Sequence, residues 1–264
     1  MKIFFIIIPQ LSLIFSGKSL SSLFALLIKF YKFYLYKRIL KIDVEVTLDI
    51  EYRGCKTNFT LVNYLDFSVL TEVFINEEYN YFISEELVSI LDLGAHVGDS
   101  AIFYAGGCPN STVYAVEPFP DSYARLVDNT KTIPNIKTFK CAIGATGGKT
   151  MLNLHNGGTL GNSTLDREGD TGHIEVKKMS IKELMNQEGI IKFSLIKFDI
   201  EGSEFELFED PDFFNYADIY VGEVHTDLNP NFNFERFKSK LKNFNFEYVS
   251  MKRRGRFLLK AVRI

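Results

Sequence analysis

The chain has 264 residues, 46% of them hydrophobic and 24% charged, which is enough apolar material for a full core and excludes a disordered chain. A net charge of −3 excludes a general nucleic-acid binder. Three widely spaced cysteines, Cys55, Cys108 and Cys141, form no metal-ligand or redox motif and fit reduced thiols in a cytoplasmic protein.

Charge is unevenly spread. Residues 1–41 hold Lys2, Lys18, Lys29, Lys32, Lys37, Arg38 and Lys41 and no acid, so they carry +7 and residues 42–264 carry −10. This asymmetry points to an anionic surface as partner for the basic part. Residues 3–15 are almost wholly apolar but too few for a membrane span of about 20 residues. Lys2 ahead of the run and the small Gly17 and Ser19 behind it also suit a signal peptide, the alternative to a cytoplasmic location. Residues 19–38 read as a helix, with Leu20, Leu23, Phe24, Leu27, Tyr31, Tyr34 and Leu35 on one face and Ser22, Lys29 and Lys32 opposite. Two readings stand for residues 1–38: a peripheral contact with the inner face of an anionic membrane, or a helix packed on the domain that follows.

Residues 42–85 read as a lead-in. Two or three short strands (44–52, 58–61 and a third before residue 69) surround the turn Arg53-Gly54-Cys55-Lys56-Thr57-Asn58, and a short helix over 69–83 ends near Tyr79. From 86 to 264 short apolar runs alternate with helical stretches. The runs are 89–93, 112–116, 136–142, 193–200 and 219–224; the helices are 100–104, 121–130, 181–188, 204–208 and 234–243. Ser180 and Glu183 have the spacing of a capping box for the third helix. Such alternation predicts a parallel α/β sheet with helices on both faces. Runs 246–251 and 257–262 flank the basic turn Lys252-Arg253-Arg254-Gly255 and predict a closing antiparallel hairpin. Lys252 to Arg256 reads as a solvated hairpin tip.

In open α/β sheets ligands sit beyond the carboxyl ends of the strands. The first core strand runs into Asp92-Leu93-Gly94-Ala95-His96-Val97-Gly98-Asp99. Gly94 lets the chain turn off the strand, and Gly98 brings a helix start close to a ligand. The spacing lacks the third glycine of the dinucleotide fingerprint. Asp92 would repel a pyrophosphate and suits a ligand with a cationic amino group. The second strand ends at Val116-Glu117-Pro118, with Glu117 23 residues after Gly94. An acid at that tip can accept both ribose hydroxyls. The third strand ends at Cys141-Ala142, small groups suited to flank an adenine ring or to fill core. The fourth ends in Lys197-Phe198-Asp199-Ile200-Glu201-Gly202-Ser203-Glu204, where alternation puts Lys197, Asp199 and Glu201 on one side. Burying such a cluster for stability alone is costly, which favours a functional role.

These segments resemble the FkbM family of methyltransferases. Asp92 to Asp99 matches its first motif, Glu117-Pro118 its acid–Pro pair and Ile196 to Glu204 its Ile-Lys-x-Asp-x-Glu-Gly-x-Glu motif. Thr71-Glu72-Val73-Phe74 to Tyr79 resembles its lead-in, and Gly161-Asn162-Ser163-Thr164 its polar loop. One departure is His96 in place of the usual Asn, which adds a titratable group and with it a pH-sensitive cofactor affinity. The resemblance implies the Rossmann-like seven-stranded sheet of class I methyltransferases. It also implies S-adenosyl-L-methionine as cofactor, held by Asp92, Gly94, Ala95, His96, Gly98, Asp99, Glu117, Pro118, Cys141, Ala142 and Asp199. The implied reaction is methyl transfer to a hydroxyl of a glycan or another small hydroxylated metabolite.

An alcohol acceptor must lose a proton, so a base should lie within hydrogen-bond reach. Asp199 is expected to position cofactor or acceptor, and Glu201 or His225 to take the proton. Lys197 either pairs with these acids or orients the acceptor. Glu201, Glu204, Glu223 and His225 are oxygen-rich enough to consider a divalent metal, but no metal is expected. Residues 156–170 suit an acceptor-side lid or a plain surface loop. The rival readings are an NAD-dependent oxidoreductase, disfavoured by the missing glycine and the hairpin, and a non-catalytic module that binds S-adenosylmethionine.

Overall fold

The computed structural model describes residues 28, 31–32, 35–40, 42, 44–81, 83–84, 86–155, 162–165, 170–229, 231–251 and 255–264. The apolar run 3–15, most of the helix expected over 19–38, most of the loop 156–170 and the turn residues 252–254 lie outside the described residues. Among the described residues no helix is long and apolar enough to cross a membrane.

The lead-in opens with an antiparallel hairpin, β1 (Val46–Tyr52) and β2 (Cys55–Leu61), with Val46 opposite Leu61. Alternation buries Leu48, Ile50, Phe59 and Leu61 on one face. A helix then starts earlier than residue 69, where the expected third strand would lie: α1 (Tyr64–Leu70), continued by a π-helical turn over Thr71–Ile75. Its start is fixed by reciprocal capping. Asn63 Oδ1 accepts from the Asp66 N–H (3.1 Å), and Asp66 Oδ2 accepts from the Asn63 N–H (3.0 Å).

The core follows as β3 (Ser89–Leu93), α2 (Asp99–Gly107), β4 (Thr112–Val116), α3 (Pro120–Thr130), β5 (Ile136–Phe139), β6 (Ala142–Gly144), β7 (Gly148–His155), β8 (Asp170–Ser180), α4 (Ile181–Glu188), β9 (Phe193–Phe198), α5 (Glu204–Glu209), β10 (Ala217–His225), α6 (Phe234–Lys240), β11 (Phe244–Ser250) and β12 (Arg256–Arg263). Seven strands form one sheet in the order β11-β12-β10-β9-β3-β4-β5. From β10 to β5 all neighbours are parallel; β12 is antiparallel to both β10 and β11, as the terminal hairpin requires. The chain order reverses between β3 and β9, so the carboxyl ends of these strands open on one crevice. This is the Rossmann-like α/β architecture expected from the sequence.

Alternation distributes the core between two layers. Ile90, Val113, Leu195 and Val221 pack with the β1–β2 hairpin, α1, α2 and α3. Leu91, Tyr114, Ile196 and Tyr220 pack with α4, α5 and α6. The lead-in shares the first of these layers: Tyr52 stacks on Phe103 at 5.2 Å.

Two features depart from the sequence expectation. The run 136–142 divides, because β5 ends at Phe139 and β6 begins at Ala142. β6 leaves the main sheet to pair with β8 in a second, three-stranded sheet of order β6-β8-β7. That second sheet has no strong sequence signal. Many β7 and β8 side chains are exposed, as with the Lys149–Glu175 ion pair at 2.6 Å, so an apolar run never forms.

Candidate functional site

A cleft of about 750 Å³, open mouth included, lies at the carboxyl ends of β3, β4 and β9. Of the side chains expected in a site, Gly94, His96, Glu117, Pro118, Cys141, Ala142, Asp199 and Glu201 line it. Asp92, Ala95, Gly98, Asp99, Lys197 and His225 do not reach its surface. Asn162 and Thr164 of the polar loop, Ile143 after the small residues of the third strand end and Ser203 of the fourth motif also line it; Ser122 and Leu152 line it too and were not expected from sequence.

The turn after β3 is fixed by β4. The Gly94 and Ala95 N–H groups both donate to the Val116 carbonyl, at 3.1 and 3.0 Å. The His96 N–H donates to Glu117 Oε2 (3.0 Å), and the Phe119 N–H donates to Oε1 (2.8 Å). Gly94 has φ +74°, and a Cβ there would stand 1.9 Å from the Asp199 carbonyl oxygen, so only glycine fits. His96 has φ +48°. That left-handed conformation is one that Asn and His tolerate better than most residues. Glu201, at the other wall, is also left-handed with φ +50°. Two such residues facing one cleft fit the clustering of backbone strain at functional sites.

Burial dominates the electrostatics of this half. It pushes Glu117 up to about 7, although its two backbone donors and Lys197 oppose the shift. It pushes Asp99 to about 7 as well, against Lys197. The His96 ring stands 3.9 Å from Asp99.

Asp92 and Lys197 are paired by register on adjacent strands and point into the same buried layer. Lys197 Nζ lies 3.1 Å from Asp92 Oδ1, and the Ser100 hydroxyl donates to Asp92 Oδ2 at 2.6 Å. Both side chains are fully buried or nearly so. Lys197 also donates to the Gly94 carbonyl (2.9 Å), bracing the turn from behind. Asp92 therefore meets Lys197 rather than an amino group in the cleft, and Lys197 pairs with Asp92 rather than with an acceptor.

The second half of the site is a carboxylate cluster around His225. The His225 side chain is fully buried; Glu204 Oε1 accepts from its backbone N–H (2.7 Å) and lies 2.9 Å from Nδ1. Nε2 faces Asp199, Glu201 and Glu223, each at 3.6 Å. Burial works against a charged imidazole here, but Glu204 and the other acids outweigh it and raise His225 to about 9. Burial, reinforced by Asp199, raises Glu223 to about 9.

Two members of this half were not legible as site residues. Tyr79, at the end of the lead-in, donates to Asp199 Oδ2 (3.0 Å) and carries Lys197 Nζ 5.1 Å from its ring centroid. Arg256 is nearly buried and is not a solvated hairpin tip: Nη2 donates to Glu201 Oε2 (3.2 Å) and Nε to Asp227 Oδ2 (3.3 Å). The polar loop packs on the same corner, where the Ser163 hydroxyl donates to the Glu201 carbonyl (2.6 Å) and Thr164 Oγ1 lies 2.7 Å from Ser203 Oγ.

Comparison with known proteins gives a family match. The family model described as the methyltransferase FkbM domain matches residues 92–248. Hexuronic acid methyltransferase AglP of Haloferax volcanii is 23% identical over 149 residues, covering 56% of this chain and 60% of AglP. Among solved structures, a fibrillarin/Nop5p complex is matched at 14% identity over 86% of this chain and 96% of that one, with a TM-score of 0.48. TYW2 of M. jannaschii in complex with AdoMet is matched at 16% identity over 84% and 88%, with a TM-score of 0.45.

Proposed function

The chain belongs to the FkbM methyltransferase family, and from that premise we propose that it is an S-adenosylmethionine-dependent methyltransferase acting on a hydroxyl oxygen of a glycan or another hydroxylated metabolite. The observation that carries this reading is the contact of two strand tips. The turn at Gly94 and His96 and the carboxylate of Glu117 meet at 3.0 Å and line one cleft. Fit to the cofactor rests on the same place. Glu117 is a buried carboxylate at the cleft wall, which suits the hydroxyls of a ribose, and Cys141, Ala142 and Ile143 give a small apolar patch for a base. The name of AglP supports a sugar acceptor, although the matched stretch spans only 60% of that protein.

S-adenosylmethionine, when bound, supplies a methyl group activated by its sulfonium. The chain's own residues hold and align. Gly94 and His96 shape one wall and Asp199 and Glu201 the other, so an acceptor at the Glu201 side is held in line with the donor. Glu201, with His225 behind it, is the group placed to draw the proton from the acceptor oxygen. Lys197, Asp92 and Ser100 act as positioning residues that keep the Gly94 turn rigid. Residues 1–38 add a peripheral contact with an anionic membrane surface, in keeping with their charge of +6.

Calorimetry with S-adenosylhomocysteine and with NADH tests the cofactor. We expect saturable binding of the first and none of the second; the reverse result overturns the proposal in favour of an oxidoreductase. Transfer of labelled methyl to a panel of glycans and hydroxylated metabolites tests the reaction. Cofactor binding without transfer to any acceptor would mark a non-catalytic module.

A further inference from the structure

His225 Nε2 has no hydrogen-bond partner although its side chain is fully buried. It is aimed at the carboxylates of Asp199, Glu201 and Glu223, each 3.6 Å away, just outside hydrogen-bonding range. One ligand atom each from Asp199, Glu201 and His225 lie within 4.8 Å of one another. Glu204 fixes the ring from behind. It takes the His225 backbone N–H and faces Nδ1, so Nδ1 keeps its proton when a cation displaces the one on Nε2, and the Nε2 lone pair then points into the cluster.

We propose that Asp199, Glu201 and His225 Nε2 hold a divalent cation of the Mn²⁺, Co²⁺ or Zn²⁺ kind at the acceptor wall of the cleft. The proposal deepens the methyltransferase reading and rests on it. It departs from the metal-free site expected from sequence, and it replaces the ligand set considered there: Glu204 supports the ring, and Asp199 joins the ligands. An imidazole beside two carboxylates suits these ions better than Mg²⁺ or Ca²⁺, which favour oxygen donors. Bonds of about 2.1 Å at tetrahedral angles set ligand atoms about 3.4 Å apart, so the two 3.6 Å separations from Nε2 need close by only a few tenths of an ångström, while the Asp199 and Glu201 carboxylates, within 4.8 Å, must turn toward each other. Arg256 shares Glu201 Oε2 and must yield part of that contact. Three protein ligands leave coordination positions open toward the cleft, which Asp199 and Glu201 line. An acceptor hydroxyl bound there is oriented and acidified by the ion and gives its proton to bulk water, so with the cation in place Glu201 is a ligand and the role of base proposed for it above applies to the metal-free protein alone.

The test uses the full chain, stripped with EDTA, dialysed and titrated with Mn²⁺ while electron paramagnetic resonance follows the free aquo ion. One saturable site per chain is expected. Asp199→Asn and Glu201→Gln should each weaken it about tenfold or more, and the distant Glu175→Gln should leave it unchanged. Thermal melts in EDTA establish that each variant is folded; if Asp199→Asn is not, Glu201→Gln on the cleft wall decides. Absence of saturable Mn²⁺ binding, or binding indifferent to a folded variant, overturns the proposal. S-adenosylhomocysteine calorimetry on the same preparation separates the two readings. Cofactor binding without Mn²⁺ binding sinks the cation alone, and Mn²⁺ binding without cofactor binding sinks the methyltransferase reading.

Discussion

Glu117 carries a charge that its own surroundings oppose. Burial raises it to about 7, so the empty cleft prefers the protonated acid below that pH. The ionised form is the better acceptor for two ribose hydroxyls, so S-adenosylhomocysteine affinity should climb with pH up to about 7 and then level off, by up to about tenfold per pH unit on the rising limb. Stability runs the other way. A carboxyl raised in the folded state binds its proton there first, so its contribution is full below about 4.5 and is lost as pH rises through 7. Calorimetry between pH 5 and 9 checks the first statement. Glu117→Gln should flatten the rising limb and weaken binding by about 2 kcal/mol, the worth of hydrogen bonds to a charged group. A profile unchanged in the variant would assign the pH dependence to another group, with Asp99, also raised to about 7, the first to examine. The Asp92–Lys197 pair gives a second prediction. Asp92→Asn strands a buried ammonium and should cost about 3–5 kcal/mol in urea unfolding, with much of it recovered by adding Lys197→Met. The acids and His225 were visible in the sequence as chemistry-bearing residues at strand ends. Tyr79 and Arg256 were not visible as site residues, because they reach the site from the lead-in and the last strand. Only packing brings a residue 120 positions away to Asp199.

The turn between β3 and α2 is the element on which the cleft depends. Gly94→Ala places a methyl group 1.9 Å from the Asp199 carbonyl, and backbone cannot yield there as a flexible side chain would. Either the turn or the end of β9 must move, and both line the cleft. Binding of S-adenosylhomocysteine should fall by at least about tenfold for a displacement of this order. The capping box of α4 provides the contrast. Ser180 and Glu183 cap each other's backbone at 2.8 and 3.2 Å on the surface. Ser180→Ala should cost about 1 kcal/mol of stability and leave cofactor affinity unchanged. If both substitutions alter affinity alike, the loss reports general destabilisation and the turn has no special role. Element legibility followed burial. β3 and β4 are buried on both faces and appeared in the sequence as short, mainly apolar runs with the bounds observed, Asp92 being the charged exception in β3. β7 and β8 expose one face, so their polar residues hid them.

At the scale of the whole chain, the uneven distribution of charge is the feature with the longest reach. Seven basic residues and no acid in residues 1–41 face a remainder of −10. The strand-end cluster of Asp199, Glu201, Glu204 and Glu223 contributes to that remainder. A basic segment near an anionic lipid surface gains about 1 kcal/mol per Lys or Arg, and the gain decays within a Debye length of about 10 Å at 0.1 M salt. An acidic body is repelled by the same surface. The balance predicts attachment through the first 41 residues rather than through the acidic remainder. Full-length protein should sediment with vesicles rich in phosphatidylserine and stay in the supernatant with phosphatidylcholine alone, and the bound fraction should fall steeply between 50 and 500 mM salt. A chain lacking residues 1–27 loses Lys2 and Lys18 together with most of the apolar positions and should bind far less. Equal sedimentation with both vesicle types would leave apolar insertion as the cause and charge as incidental. Sedimentation unaffected by the truncation would move the contact to another part of the molecule.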